Sequence, residues 1–188
     1  MKTICGLVVA ALLTLSAGNV QERHPVIAYV TKVVKNVERR DSTTGDWIKA
    51  LPSSELTIGC ELRTGDGSFV LVKFADGSQV AVRSQSTIRI LGDASHGKIQ
   101  NRGMFIERGL TIFNLKEQDT TGFHLTSPVS VSSIRKGEGG FSFNPKTGQA
   151  VLTVGAGAAD FSSTRINCKL IVQPGHTATI DSTGCRTR

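Results

Sequence analysis

The sequence predicts an all-β protein made of many short strands, with little or no helix. Residues Phe69 to Phe74 and Gln79 to Arg83 alternate between apolar and other side chains, and the turn-forming pair Asp76-Gly77 lies between them. This is the pattern of a β-hairpin. Valine, isoleucine and threonine, which favour strands, are plentiful. No segment repeats its apolar residues at the 3.6-residue period of a helix.

Strand candidates follow one another along the rest of the chain. The first runs from Val26 to Val34, a polar turn covers residues 41–46, and a short segment follows from Trp47 to Leu51. Further candidates are 56–62, 86–90, 103–106, 109–115, 123–126, 129–134, 141–143, 149–154, 158–161, 169–172 and 177–180. Short strands at this spacing suit a barrel, a sandwich or a solenoid, and the pattern alone does not separate these.

The strand from Phe69 to Phe74 is apolar on both faces. Phe74 lies on the same face as two valines, while Phe69 and Leu71 share the opposite face with Lys73. Strands covered on both sides have this composition. We therefore expect this strand to be buried on both sides.

The amino terminus has the pattern of a secretory signal. A basic start at Lys2 precedes an apolar run from Ile4 to Leu15 and small residues up to Gly18. The run is shorter than the roughly 20 residues that span a bilayer, and no later segment predicts a transmembrane anchor. We expect residues 1–18 to be cleaved and residues 19–188 to form one exported domain, periplasmic or, as the alternative, secreted.

Three cysteines remain after this cleavage. Cys168 and Cys185 flank the last strand region and are the expected disulfide, while Cys60 lies in an alternating segment and is expected to be a small core residue. No metal site or other cofactor is predicted, because the histidines are far apart in the sequence. They are His24, His96, His124 and His176.

The chain is basic, with 22 Lys and Arg residues against 15 Asp and Glu residues. The charges are dispersed, and Arg39-Arg40 is bracketed by Glu38 and Asp41. Nucleic-acid binding is not expected, since such proteins show a basic stripe, often interleaved with aromatic residues. A solvated surface or weak attraction to acidic polymers would account for the charge.

Four motifs follow one another along the chain: the segment from Leu56 to Gly65, the Asp-Gly-Ser turn, the element Ser86 to Ile90 and the strand leading to Pro128. Together they resemble the FecR family of bacterial exported regulatory and envelope proteins. The positions that carry this resemblance are Gly59, Gly65, Asp76, Gly77, Ser78, Ser86, Pro128 and Arg135. The resemblance implies a twisted β-solenoid-like or β-roll domain. In the best-known members it lies in the periplasmic part of an anti-sigma regulator, and we expect this chain to be a free-standing exported version.

One segment departs from the family pattern. Relatives typically have Arg-Gly-Thr after the proline, whereas this chain has a glycine-rich stretch from Arg135 to Phe141. We interpret it as a structural tight turn whose glycines permit positive φ, with a binding loop as the alternative.

No catalytic set of residues is predicted, so we expect a protein that is not an enzyme. The one weak grouping is His124 with Thr126 and Ser127. The favoured function is an interaction or signalling module that binds another envelope protein, by its face or by strand addition at an open edge. The alternative is a binder of acidic or neutral polysaccharide, based on the positive charge and on Trp47, expected to be exposed, beside Lys49.

Overall fold

The computed structural model describes residues 25–95, 98–118 and 122–188, so the predicted signal peptide lies outside the described residues. Within these ranges the chain forms fifteen strands in one sheet and no helix, which confirms the all-β prediction. The strands are β1 (Val26–Val34), β2 (Val37–Arg40), β3 (Ile48–Lys49), β4 (Glu55–Thr57), β5 (Glu61–Thr64), β6 (Phe69–Phe74), β7 (Gln79–Val82), β8 (Thr87–Ser95), β9 (Lys98–Leu115), β10 (Phe123–Thr126), β11 (Ser130–Asn144), β12 (Gln149–Ser163), β13 (Lys169–Val172), β14 (Thr177–Asp181) and β15 (Gly184–Thr187).

The sheet divides into two layers. Layer 1 contains β2, β3, β5, β8, β10 and β13, with residues 98–108 of β9, 130–135 of β11 and 158–163 of β12. Layer 2 contains β1, β4, β6, β7, β14 and β15, with residues 109–115, 137–144 and 149–157 of the same three strands. In the described chain β3, β4, β13 and β15 each pair with one neighbour, so the sheet is open at its ends.

The core lies between the inner faces of the two layers. Phe74 of β6 packs edge-to-face on Phe123 of β10, with ring centres 4.9 Å apart. Phe141 and Phe161 meet in the same way at 6.1 Å. Each pair joins layer 2 to layer 1, and all four rings are almost fully buried. The burial of apolar surface by both layers therefore stabilises their face-to-face arrangement.

Three strands are much longer than the sequence predicts. The candidates 103–106 and 109–115 are parts of one strand, β9, and β11 and β12 each combine two predicted strands in the same way. Gly109 and Gly157 adopt positive φ where β9 and β12 pass from one layer to the other. A glycine can take this conformation without interrupting the hydrogen-bond ladder of the strand. The alternation of apolar and polar residues therefore breaks at the glycine, although the strand continues through it.

The prediction of a tight turn between Arg135 and Phe141 is wrong. These residues belong to the continuous strand β11, and the register shifts twice between Ile134 and Gly139 as it pairs with β12. Gly137 has a φ of 142°. The glycines therefore serve β-bulges that bend the strand between the layers.

The prediction that β6 is buried on both sides is also wrong. Val70, Val72 and Phe74 face the core, but Phe69 and Leu71 are only half-buried, on the outer face of layer 2. The sequence pattern reported apolar residues on both faces correctly. It did not reveal that the outer face of β6 stays uncovered by any other part of the described chain.

The solenoid-like coiling that the resemblance implies stays a prediction.

In the described part of the chain, no helix is long and apolar enough to cross a bilayer.

The Cys168–Cys185 disulfide joins the open ends of the two layers. Cys168 immediately precedes β13 of layer 1, and Cys185 lies in β15 of layer 2, with their Cα atoms 6.3 Å apart. The cysteines are separated by 17 residues. A cross-link that closes a loop of this size stabilises a fold by about 3 kcal/mol in the chain-entropy model.

We expect the double variant Cys168→Ser, Cys185→Ser to fold but to lose about 3 kcal/mol of unfolding free energy. Urea unfolding of the oxidised wild type and the variant measures the difference. The reduced wild type is the matched control and should behave like the variant. Equal midpoints for oxidised and reduced wild type would show that the cross-link does not stabilise this fold.

Candidate functional site

The Asp-Gly-Ser turn between β6 and β7 is held by a network of hydrogen bonds. The backbone N–H and hydroxyl of Ser78 donate to the Asp76 carboxylate at 3.0 and 2.9 Å. Gly77 has a φ of 87°, as this turn requires. The Gln118 amide donates to Asp76 at 2.6 Å, and the Lys116 backbone N–H donates to Ser78 Oγ at 3.0 Å. The network therefore fastens the hairpin to the chain that leaves β9.

Gln118 also connects the turn to Arg135. Its backbone N–H donates to the Arg135 carbonyl at 2.8 Å, while the Arg135 residue is exposed. Burial of Asp76 opposes its charged form, but the hydrogen bonds from Gln118 and Ser78 outweigh this and lower the pKa of Asp76. Sequence reasoning missed Gln118, because a glutamine within a polar segment gives no signal that it is buried.

Ser86 fastens the chain between β7 and β8 to the bend of β9. Its backbone N–H donates to Thr64 Oγ1 at 3.0 Å, and its own Oγ accepts from the Leu110 N–H at 3.1 Å. A Cβ at Gly109 would lie 2.0 Å from Ser86 Oγ, so a larger residue does not fit. Ser86 therefore supports the fold.

The other positions of the family resemblance lie in connections between strands. Gly59 has a φ of 87°, and its N–H donates to the Ile90 carbonyl at 2.9 Å. Gly65 both donates and accepts backbone hydrogen bonds between β5 and β6. Pro128 is exposed, and its carbonyl accepts from the Thr164 hydroxyl. The structure does not gather these residues with the Asp-Gly-Ser turn into a pocket, and each one shapes a local connection.

Cys60 lies in the core, as the sequence predicts. Burial, with a smaller contribution from the negative charge of Asp41, raises the pKa of the Cys60 thiol to about 11. A thiol with this pKa stays protonated near neutral pH, and the thiolate is the reactive form.

The weak grouping of His124, Thr126 and Ser127 has a structural explanation. The Ser127 hydroxyl bonds to the Ser130 hydroxyl at 2.8 Å and accepts from the Val129 N–H at 3.3 Å, in the turn that follows β10. Ser127 therefore shapes this turn. In the described residues no three His, Cys, Asp or Glu side chains are placed to hold a metal ion.

The outer face of layer 1 carries paired charges. The Glu61 carboxylate, almost fully buried, accepts from Arg40 Nε at 2.7 Å and from Arg89 Nε at 3.1 Å. Arg63 Nε donates to Glu38 at 2.6 Å. These cross-strand pairs place two carboxylates among three arginines at the middle of this face and offset most of their charge.

Trp47 is not freely exposed. Its ring is half-buried against the guanidinium groups of Arg40 and Arg63, whose central carbons lie 4.5 and 4.3 Å from the ring centre. Cation–π contacts of this kind hold an aromatic ring in place. The predicted polysaccharide site at Trp47 and Lys49 finds no support, because the ring already packs against protein groups.

The outer face of layer 2 contains an apolar groove of about 620 Å³. Leu110 and Ile112 of β9 are 40% and 46% exposed, and Leu71 and Ala81 of the neighbouring strands are half-buried beside them. This groove is defined by Leu71, Ala81, Leu110, Ile112, Gly139 and Gly140. Cross-strand pairing aligns Leu71, Ala81 and Ile112 in one row, so the apolar surface is continuous.

Two glycines of β11 form the floor of the groove. A Cβ at Gly140 would lie 3.6 Å from the Thr111 carbonyl oxygen and 3.9 Å from the Leu110 side chain, both ordinary contacts. A Cβ at Gly139 would lie 2.1 Å from the Thr153 carbonyl oxygen. The backbone thus requires glycine at 139, whereas at 140 the glycine leaves the groove open.

The chain matches the model of one protein family. The model of the FecR protein family matches residues 61–160, which is more than half of the chain. A search of curated proteins found no match.

Two solved structures share the fold. Both are crystal structures from Parabacteroides distasonis of a protein described as a "putative anti-sigma factor", determined at 2.50 and 1.65 Å. Each aligns with a TM-score of 0.57 over 68% of this chain, at 14% and 13% identity. The chain spans 58% of the length of each of them.

We expect Asp76→Asn to lower the unfolding free energy by about 1.5–3 kcal/mol near neutral pH, because an amide cannot accept all the hydrogen bonds of the turn. Since folding lowers the Asp76 pKa from 3.8, this contribution is present above the unfolded value and is lost as the pH falls through the folded value. The gap between wild type and variant should therefore shrink in acid. Urea unfolding at neutral and at strongly acid pH measures it.

Asp66→Asn is the matched control for this experiment, because Asp66 lies in the preceding turn and is exposed. It should change the stability little at either pH. A gap for Asp76→Asn that does not depend on pH would contradict the role of its charge.

Proposed function

Since this chain belongs to the FecR family, we propose that it is an exported regulatory module of the bacterial envelope that binds another protein and catalyses no reaction. The observation that carries this proposal is the apolar groove on layer 2. Exposed apolar surface that is continuous and concave is the usual mark of a binding site.

The geometry of the groove supports a protein ligand. Its walls are side chains of adjacent strands, and its floor is the backbone at Gly139 and Gly140. An extended or flat segment of a partner could cover Leu110 and Ile112 and remove their exposed area from water. That burial would supply binding free energy of about 25 cal/mol per Å² of apolar surface before the costs of association.

The proposed location is the periplasm, after cleavage of residues 1–18, with residues 19–188 forming one domain that coils in a solenoid-like manner. The pairing of Cys168 with Cys185 supports export, because structural disulfides persist in oxidising compartments. The described part of the domain has one continuous core, which supports a single folding unit.

We expect the chain purified from the periplasmic fraction of its source to begin at Asn19 or at a residue close to it. Cell fractionation followed by amino-terminal sequencing measures this. A protein recovered in the cytoplasm with residues 1–18 intact would overturn the proposed location.

We expect two variants of the groove to lose the partner protein while they remain folded. Gly140→Leu adds a side chain to the floor, where the first carbon has room, and Ile112→Ser removes an exposed apolar contact. The tagged full-length chain, produced in its source, is isolated with its bound proteins at moderate salt. Each variant should recover about tenfold less of the partner than wild type, as the loss of roughly 1.4 kcal/mol would produce.

Ile171→Ser is the matched control, since Ile171 is 63% exposed on β13 of layer 1. It should recover the partner as wild type does. Full recovery by both groove variants would overturn the groove as the binding site, and a loss confined to Ile171→Ser would assign binding to the open edge at β13.

A further inference from the structure

Three exposed cations border the groove. Lys73 follows Leu71 on the outer face of β6, and Lys32 and Arg83 lie on either side of Phe69. The Lys32 Nζ and the Arg83 guanidinium carbon are 5.6 and 5.8 Å from the Phe69 ring centre. In the described ranges none of these cations forms an ion pair. The groove therefore has a basic border along β1, β6 and β7.

On the outer face of layer 1, by contrast, the central arginines are paired with carboxylates. Arg40 and Arg89 both bond to Glu61, and Arg63 bonds to Glu38. Two carboxylates of the chain thus offset most of the charge of these three arginines. Beside the exposed apolar surface, however, Lys32, Lys73 and Arg83 have no carboxylate partner in the described chain, and Glu138 is the acidic residue that lines the groove.

We propose that the groove binds a protein segment whose apolar side chains are bordered by Asp and Glu residues. This inference rests on the proposed function and adds the chemistry of the partner. The apolar contacts would lie at the centre and the charge pairs at the rim, where complementary charges speed association and select the correct partner. A second copy of this chain is a poor occupant, because the same groove on that copy offers one acidic residue, Glu138, to the three cations of the border.

Photo-crosslinking tests this proposal on the full-length chain produced in its source. A photoreactive phenylalanine analogue, p-benzoylphenylalanine, replaces Gln79, which is exposed and lines the groove without a described side-chain hydrogen bond. A second chain carries the analogue at Arg135, exposed on layer 1. The cross-linked partner peptide is sequenced by mass spectrometry. We expect cross-linking at 79 to a peptide that contains apolar residues with neighbouring Asp or Glu.

Charge reversal then tests the role of the border. Lys73→Glu with Arg83→Glu should lower the cross-link yield at 79 about tenfold. Arg165→Glu with Arg188→Glu, the control, makes the same change of net charge at exposed positions outside the groove and should lower the yield less than about twofold. The milder pair Lys73→Gln with Arg83→Gln should give an intermediate loss, and added salt should weaken cross-linking of the wild type.

The outcomes separate the two proposals. Cross-linking at 79 that survives charge reversal, or that captures a basic peptide or a second copy of the chain, would overturn the acidic partner while the groove remained a binding site. No cross-linked protein at either position would overturn the proposed function and this inference together.

Discussion

Strands β9, β11 and β12 each contribute one half to layer 1 and the other half to layer 2, so the two layers cannot separate without breaking three continuous ladders. The core depends on this arrangement, because it brings the inner faces together around the phenylalanine pairs. The bends in turn depend on glycines. At Gly109 a side chain would meet Ser86, and at Gly157 it would meet the Lys136 carbonyl at 2.1 Å.

The positions that resemble the FecR family support the same arrangement. Ser86 meets the bend of β9, Asp76 holds the hairpin that pairs with the second half of β9, and Gln118 connects that hairpin to the bend of β11. The sequence motifs of this protein therefore mark residues whose hydrogen bonds stabilise the fold. The surface that we propose for binding lies elsewhere, on residues that carry no motif.

Two faces of one sheet show how the same residue types serve different purposes. On layer 1 the arginines pack on Trp47 and pair with Glu61, so these side chains already have partners within the chain. On layer 2 the cations Lys73 and Arg83 border an apolar surface that nothing in the described chain covers. Composition reports only the basic excess of the whole chain. The tertiary structure reveals which cations pair with a carboxylate and which border the groove without one.

The sequence by itself predicted most of the strands, although not β2 or β15, together with the hairpin at Asp76-Gly77 and the buried position of Cys60, because alternation and turn chemistry are local properties. It also predicted the pair of cysteines that bond, from their positions beside the last strand region. Tertiary structure decided which predicted strands merged, since a glycine bulge and a glycine turn look alike in sequence. It also decided that the outer face of β6 stays open, although its residues are apolar enough to be buried. The groove formed by Leu110, Ile112 and Gly140 depends on partners from distant parts of the chain, so no local pattern could define it.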